Sequence, residues 1–252
     1  MNYRHYANEL PRYGLAVVFA WFGIDKFLIH QYYVSWFSAT KSIMILLPFQ
    51  DISMSVYSIG IVEISLSALL FLGIRIRVVA LVVMAFLATI LITAKYPSSF
   101  PQDIGLIGIA LMLVMSYISN KNKRQENRFR YSRIVTYSIS LVLVLWAADY
   151  FLNYERHAGW IHLFSPIFSN LGTNEALYLI VIVGVLEVLL AIFLIIGERI
   201  KNKYPFVATV VFLIFAAITL DPPINNHQTI GLAIASFWLG YRYCANNMSQ
   251  IN

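Results

Sequence analysis

The feature that most constrains this chain is its succession of long apolar runs. A helix that crosses a bilayer needs roughly 17–25 mostly apolar residues. Eight runs approach this length, near 13–30, 54–73, 77–95, 103–119, 134–152, 175–196, 204–220 and 228–243. The chain is 60% hydrophobic and 12% charged, whereas soluble domains carry about 25% charged residues. The sequence therefore predicts an all-α integral membrane protein with about eight transmembrane helices.

Most basic residues fall in alternate connections between these runs. This group comprises Arg4, Arg12, Arg75, Arg77, Lys121, Lys123, Arg124, Arg128, Arg130, Arg133, Arg199, Lys201, Lys203 and Arg242. Because Lys and Arg disfavour translocation, the rich side is expected to be cytoplasmic. Both termini are then expected on the cytoplasmic side of a plasma membrane, in agreement with an even number of helices. The net charge of +6 thus indicates topology and contact with the lipid bilayer, and no nucleic acid is expected.

The two halves of the chain resemble each other at a spacing of 124 residues. The segment 23–27 matches 147–151, and 62–63 matches 186–187. Further matches at the same spacing are Trp36 with Trp160, Gly73 with Gly197 and Arg75 with Arg199, while Gly105-Leu106 resembles Gly231-Leu232 at 126. We predict two parallel tandem four-helix bundles. The first unit covers 1–119, a basic cytoplasmic linker covers 120–133, and the second unit covers 134–252.

Two aromatic connections, 31–53 and 154–174, lie on the predicted outer side. Aromatic residues favour the headgroup level of a bilayer. We therefore expect interfacial or partly re-entrant segments over the outer mouth of each bundle. A plain loop is the alternative.

Glu63 and Glu187 occupy equivalent positions near the middle of predicted membrane helices. A charge at that depth costs at least roughly 2.5–3.5 kcal/mol, and such residues usually face the bundle interior and mark a functional path. The two glutamates are therefore candidate catalytic residues. The alternative is a protonated glutamate that only joins neighbouring helices.

Asp25 and Asp149 lie near the outer ends of the first helix of each half and are also candidate catalytic residues. They would serve proton exchange or recognition of a polar substrate. The alternative is a water-facing helix end, with the Lys26 stem reaching the interface. The two copies differ here, because Tyr150 follows Asp149 where Lys26 follows Asp25. Candidate substrate-binding residues are Trp21, Lys26, Asp103, Trp146 and His227.

Asp103 and the paired glycines also have structural interpretations. Asp103 is well placed to cap the fourth helix, and His227 is a titratable residue on the outer surface. Gly73 and Gly197 are expected to close helices as C-caps.

No cofactor motif is evident in the sequence. The histidines and outer acids lack the spacing of a familiar metal site, so no metal is expected. The single cysteine, Cys244, excludes an internal disulfide and a Cys-x-x-Cys pair.

Several motifs resemble the DoxX-like family of four-helix membrane proteins. They are Arg12…Gly14-Leu15…Phe22-Gly23…Lys26-Phe27, then Glu63…Gly73-Ile74-Arg75, then Pro101…Asp103…Gly105-Leu106…Gly108…Ala110-Leu111. The resemblance implies a membrane subunit linked to quinone or respiratory redox chemistry, acting with a redox partner protein and with a quinone as ligand. Two other functions stay open: a proton-coupled transporter or channel for a small solute, and a non-catalytic membrane assembly subunit.

Overall fold

The computed structural model describes residues 9–39, 49–93, 100–117, 124–164, 168, 170–219 and 226–248. These residues form helices joined by short connections, with no strand among them. The helices are α1 (Leu10–Leu28), α2 (His30–Ala39), α3 (Ile52–Leu72), α4 (Ile76–Thr93), α5 (Phe100–Tyr117), α6 (Arg124–Leu152), α7 (Tyr154–Phe164), α8 (Thr173–Ile200), α9 (Tyr204–Thr219) and α10 (Asn226–Met248). An all-α fold is confirmed, and a helix lies at each of the eight predicted runs.

Some of these helices are long and apolar enough to be membrane spans. Among the described residues, α3, α8 and the part of α6 from Tyr131 onward are long and apolar enough to cross a bilayer. The bent pair α1–α2 passes the same criterion when taken together, and α4, α5 and α9 contain shorter apolar helices. The chain is therefore a multi-pass helical membrane protein.

The predicted outer segments contain two further helices, α2 and α7. The α1–α2 pair bends by 95° around Ile29, so the chain folds across the end of α1 instead of continuing outward. This agrees with an interfacial or re-entrant segment, and the plain-loop alternative is wrong for these residues.

Local sequence explains where α3 and α8 begin. Asp51 accepts a hydrogen bond from the backbone N–H of Ser53 at 2.8 Å, which caps α3. The Glu175 carboxylate accepts from the Gly172 N–H at 2.9 Å, which fixes the first turn of α8.

The prediction that Gly73 and Gly197 are C-caps is confirmed only for Gly73. Gly73 ends α3 in the left-handed region with φ 74°, where glycine has no Cβ penalty. Gly197 lies inside α8, which continues to Ile200 and is capped by Lys201 with φ 55°. The prediction for Gly197 is wrong, because this glycine packs closely against the Pro205 ring instead of making a left-handed turn.

The basic segment 120–133 is not a linker over its whole length. Helix α6 begins at Arg124, ten residues before the predicted apolar run. Apolar periodicity marks only the part of a helix that faces lipid or core, and Arg, Gln and Glu are themselves good helix formers. The helix therefore extends into the polar sequence.

Each half packs through the same pairs of helices. α1 packs along α3 as α6 does along α8, and α4 packs on α5 as α9 does on α10. Gly60 lies against the ring of Phe27 in the first half, and Gly184 lies against the ring of Phe151 in the second. Both residues of the second contact follow those of the first by 124 positions.

The halves meet where α5 packs on α6 and where α10 packs on α1. Gly105 of α5 packs closely against the Leu232 side chain of α10, and Gly231 of α10 packs closely against Val18 of α1 and lies near Leu106 of α5. One hydrophobic core runs through both halves and includes Phe19, Leu106, Leu143, Phe206 and Trp238.

Candidate functional site

A buried ion pair joins α1 and α3 inside the first half. The Lys26 Nζ lies 2.9 Å from Glu63 Oε1 and 2.6 Å from Glu63 Oε2. The side chains are 5% and 2% exposed. Glu63 faces the bundle interior as predicted. Lys26 does not reach the interface, and that expectation is wrong because α2 folds back over the end of α1.

Aromatic side chains surround the Lys26 ammonium group. It lies 4.6 Å from the centroid of the Tyr33 ring and 5.5 Å from that of Phe22. It also donates a hydrogen bond to the Phe22 carbonyl at 3.3 Å. Cation–π contacts of this kind stabilise a desolvated ammonium, so the site combines paired charges with apolar walls.

The close approach of α1 and α3 at this level depends on two glycines. A Cβ on Gly23 would lie 2.8 Å from the Gly60 carbonyl oxygen, so there is no room for a side chain. Glu63 stands 11 residues after Ile52 in α3, or about 16 Å along the helix at roughly 1.5 Å per residue. Lys26, two residues from the end of α1, meets it there, which places the end of α1 deep in the bundle.

His30 connects the bend to α3. Its Nε2 lies 2.7 Å from the Ser53 hydroxyl, and its ring stacks on Tyr57 at 4.0 Å. Its Nδ1 lies 3.2 Å from the Lys26 carbonyl oxygen. These contacts hold α2 across the end of α1.

Asp25 is buried, at 9% exposure, and its carboxylate accepts a hydrogen bond from the Trp21 side chain. A water-facing helix end is therefore the wrong description of Asp25. Trp21 itself is 44% exposed on the helix surface, so one edge of this tryptophan faces the surroundings of the protein while its N–H contacts the acid.

The second half organises its acids differently. Asp149 lies 2.8 Å from Arg156 Nη2 and 2.8 Å from His157 Nε2, and it accepts from Asn153 at 2.6 Å. Both basic residues come from α7, beyond the end of α6. Asp149 is thus the centre of a polar cluster near the end of α6, where α7 begins.

The tyrosine of the Lys26–Tyr33 contact has moved to a different helix between the halves. Lys26 corresponds to Tyr150, and Tyr33 corresponds to His157, at the spacing of 124. The Tyr150 and His157 rings are in contact, with centroids 4.5 Å apart, as the Lys26 ammonium and the Tyr33 ring are. The tyrosine therefore lies on the short helix α2 in the first half and on the long helix α6 in the second.

Glu187 and Trp146 lie in the interior of the second half. Glu187 is 1% exposed and Trp146 is 9% exposed. Trp146 belongs to the hydrophobic core that both halves share. Glu187 faces the bundle interior as predicted, with Tyr150 at the sequence position equivalent to Lys26.

Asp103 joins the two halves instead of capping a helix. It is the fourth residue of α5, is 2% exposed, and accepts a hydrogen bond from Gln228 Nε2 of α10 at 3.1 Å. The capping prediction is wrong because α5 begins earlier, at Phe100. The side chain of His227 lies outside the described residues.

Sequence reasoning missed a second buried network at the opposite end of the bundle. Glu198 accepts from Arg242 at 3.0 and 2.9 Å and from the Thr136 hydroxyl at 3.0 Å, which ties α8 to α10 and α6. Its members are far apart in the chain, so no local pattern could have revealed it. Across the described residues, no group of three or more His, Cys, Asp or Glu side chains is arranged to hold a metal ion.

Residues 9–95 match the DoxX family model. This stretch contains α1 to α4 together with Asp25, Lys26 and Glu63. Comparisons with curated proteins and with solved structures found no match. The resemblance predicted from the motifs of the first half is therefore confirmed for residues 9–95, which are similar to the DoxX family.

Proposed function

We propose that this protein is a DoxX-like membrane subunit that binds a quinone in its first half and delivers protons to it. Electrons would come from a partner protein that carries the redox centre. The observation that carries the proposal is the Tyr33 hydroxyl, buried beside the Lys26–Glu63 pair.

Tyr33 is 7% exposed, and its hydroxyl has no hydrogen-bond partner among the described residues. A buried polar group without a partner costs about 1–3 kcal/mol. The carbonyl oxygen of a ligand would accept a hydrogen bond from this hydroxyl and remove that cost. A quinone offers carbonyl acceptors on a flat apolar ring, and the aromatic rings of Tyr33, Phe22 and Phe37 suit such a ring.

The Lys26–Glu63 pair supplies the proton chemistry in this proposal. Reduction of a quinone to the quinol takes up two electrons and two protons. Lys26 gives a proton to a quinone oxygen and Glu63 holds the negative charge beside it. The pair then regains its proton from the predicted outer side, where Asp25 lies one residue from Lys26, and gives the second proton to the other quinone oxygen in the same way. Candidate acid–base groups are efficient only when held within reach of the reacting atom, and the contacts around Lys26 hold it in place.

We also infer that the chain arose by tandem duplication, with both termini on the cytoplasmic side of the plasma membrane. α1 and α6 end 124 residues apart, α2 and α7 begin 124 residues apart, and α5 and α10 begin 126 residues apart. These are the spacings of the sequence matches, and the reciprocal contacts of Gly105 and Gly231 support the same inference.

The test is quinone binding to the purified full chain, with decylubiquinone and menadione as probes and quenching of tryptophan fluorescence as the readout. Tyr33→Phe removes only the hydroxyl and should weaken binding by about 1 kcal/mol, or roughly fivefold. Tyr32→Phe is the matched control, because Tyr32 is 47% exposed. Equal affinities for the wild type and Tyr33→Phe, or no binding of either probe, would refute the proposal.

The variant Glu63→Gln distinguishes the two alternative functions, a solute transporter and a non-catalytic assembly subunit. If quinone binding and host quinone reduction survive this change while uptake of a solute is lost, the transporter is the better description. If the variant folds and neither property changes, Glu63 serves assembly only.

A further inference from the structure

Three basic residues surround the turn between α8 and α9. They are Arg199, Lys201 and Lys203. α8 is long and apolar enough to cross a bilayer and ends at Ile200, and the apolar helix α9 begins at Tyr204. The turn therefore lies at the membrane boundary, at the end of α8 remote from its contact with α7.

The acid of this segment is compensated inside the bundle. Glu198 is 6% exposed, and its carboxylate accepts from Arg242 at 3.0 and 2.9 Å. Arg199 and Lys201 are exposed, and Lys203 is half-buried. None of these three forms an ion pair with another described residue. The turn thus carries positive charge on its surface without a neighbouring carboxylate to balance it.

Lys201 occupies a backbone conformation that favours glycine. It is the C-cap of α8, with φ 55°, and the C-cap of α3 in the first half is Gly73, with φ 74°. In each turn the backbone N–H of the next residue donates to the carbonyl oxygen five positions before it, at 2.9 and 3.0 Å. Glycine adopts the left-handed conformation without the Cβ penalty that lysine has. The second half therefore has a lysine where its backbone would be less strained with glycine, and residues strained in this way cluster at functional sites.

Apolar side chains with large exposure border the basic residues. Ile200 is 62% exposed, Tyr204 is 69% exposed and Val207 is 50% exposed. The Lys203 Nζ lies 5.6 Å from the centroid of the Tyr204 ring, and tyrosine favours the headgroup level of a bilayer. A ligand that matches this surface combines an anionic group with an apolar chain.

We propose that the turn between α8 and α9 is a binding site for an anionic phospholipid. The phosphate of the lipid lies among Arg199, Lys201 and Lys203, and its acyl chains lie along Ile200 and Val207. Hydrogen bonds from charged donors to phosphate are shorter and stronger than those between neutral groups. Each basic residue at a membrane surface also adds to the attraction for anionic lipid. A zwitterionic phospholipid carries its own cation, so it gains little from the same residues.

The experiment compares melting temperatures of the purified full chain in detergent micelles with added dioleoylphosphatidylglycerol or dioleoylphosphatidylcholine. Phosphatidylglycerol should raise the melting temperature of the wild type above the value with phosphatidylcholine. Lys201→Gln combined with Lys203→Gln should lose most of this difference. Arg75→Gln combined with Arg77→Gln is the matched control, because it removes two exposed charges from the corresponding turn of the first half, where the C-cap is Gly73. The control should keep most of the difference.

Lys201→Gly separates the charge from the backbone strain. Glycine relieves the left-handed conformation, so this variant should melt above the wild type in phosphatidylcholine and gain less from phosphatidylglycerol. Native mass spectrometry should also show fewer phosphatidylglycerol molecules retained by Lys201→Gly than by the wild type, which decides the matter if the double variant does not fold.

Three results would overturn the proposal. The first is an equal loss in the two double variants, which would reveal a general effect of surface charge. The second is an undiminished gain from phosphatidylglycerol in Lys201→Gly. The third is an equal gain from inorganic phosphate, which has no acyl chains.

Discussion

Replacement of Lys26 by methionine tests the buried ion pair most directly. The ammonium lies 2.6 Å from Glu63 Oε2, and both side chains are at most 5% exposed. Removing one partner of such a pair costs about 3–5 kcal/mol, because the other charge stays buried without compensation. Glu63 can take up a proton in the variant, which limits the loss, so we expect the lower end, about 3 kcal/mol.

The double variant Lys26→Met, Glu63→Met distinguishes an ion pair from simple packing. Replacing both charges by apolar groups of similar volume is often neutral or stabilising, so the double variant should be at least as stable as Lys26→Met alone. The double-mutant cycle is closed with Glu63→Met. Unfolding of the full chain in mixed detergent micelles, followed by circular dichroism, gives the free energies.

Arg133→Met is the surface control for this cycle. Arg133 lies 3.6 Å from Glu198 Oε1 but is 67% exposed, and exposed pairs contribute about 0–1 kcal/mol. A cost for Lys26→Met no larger than that of Arg133→Met would contradict the reasoning. Additive costs in the double variant would contradict it as well.

Two further changes test the packing and the second network. Gly23→Ala should lower the free energy of unfolding by about 1–3 kcal/mol, because its Cβ would lie 2.6 Å from Ile64 and 2.8 Å from the Gly60 carbonyl oxygen. A Cβ added at Gly159 in α7 would have nothing within 4 Å, so Gly159→Ala should raise the free energy of unfolding by up to about 1 kcal/mol. Thermal melts compare the two variants. Equal melting temperatures would contradict the close contact of α1 and α3 at Gly23. Arg242→Met should cost about 3 kcal/mol by leaving Glu198 buried, which denaturant titration of the full chain measures; a change below about 1 kcal/mol would place Glu198 in contact with water.

The sequence predicted the positions of the helices and of the deep acids, because both follow from the cost of polar groups in lipid. It did not predict the partner of Glu63. Lys26 lies near the end of an apolar run, where a lysine usually reaches water. Its burial depends on the 95° bend after Leu28, and neither glycine nor proline marks that bend. The side chain that covers Lys26, Tyr33, is brought there only by the tertiary fold.

The same limit applies to Asp103, Glu198 and their partners. Gln228 lies 125 residues from Asp103, and Arg242 lies 44 residues from Glu198. A buried carboxyl group needs donors, and the sequence signals that need, but the donors are chosen by how helices pack. Local rules therefore found Asp103 without identifying its partner, and they missed Glu198 altogether.

The exchange of Lys26 and Tyr33 for Tyr150 and His157 explains why similar helices would do different work in the two halves. A cation on α1 compensates the deep acid Glu63 and leaves a charged pair inside the bundle. In the second half Arg156 of α7 pairs with Asp149 instead, which leaves this ion pair at the end of α6. The position of the basic residue thus decides which acid has a cationic partner, Glu63 in the first half and Asp149 in the second. For that reason the proton chemistry that we propose belongs to the first half, while the second half contributes the Gln228 that completes the boundary with Asp103.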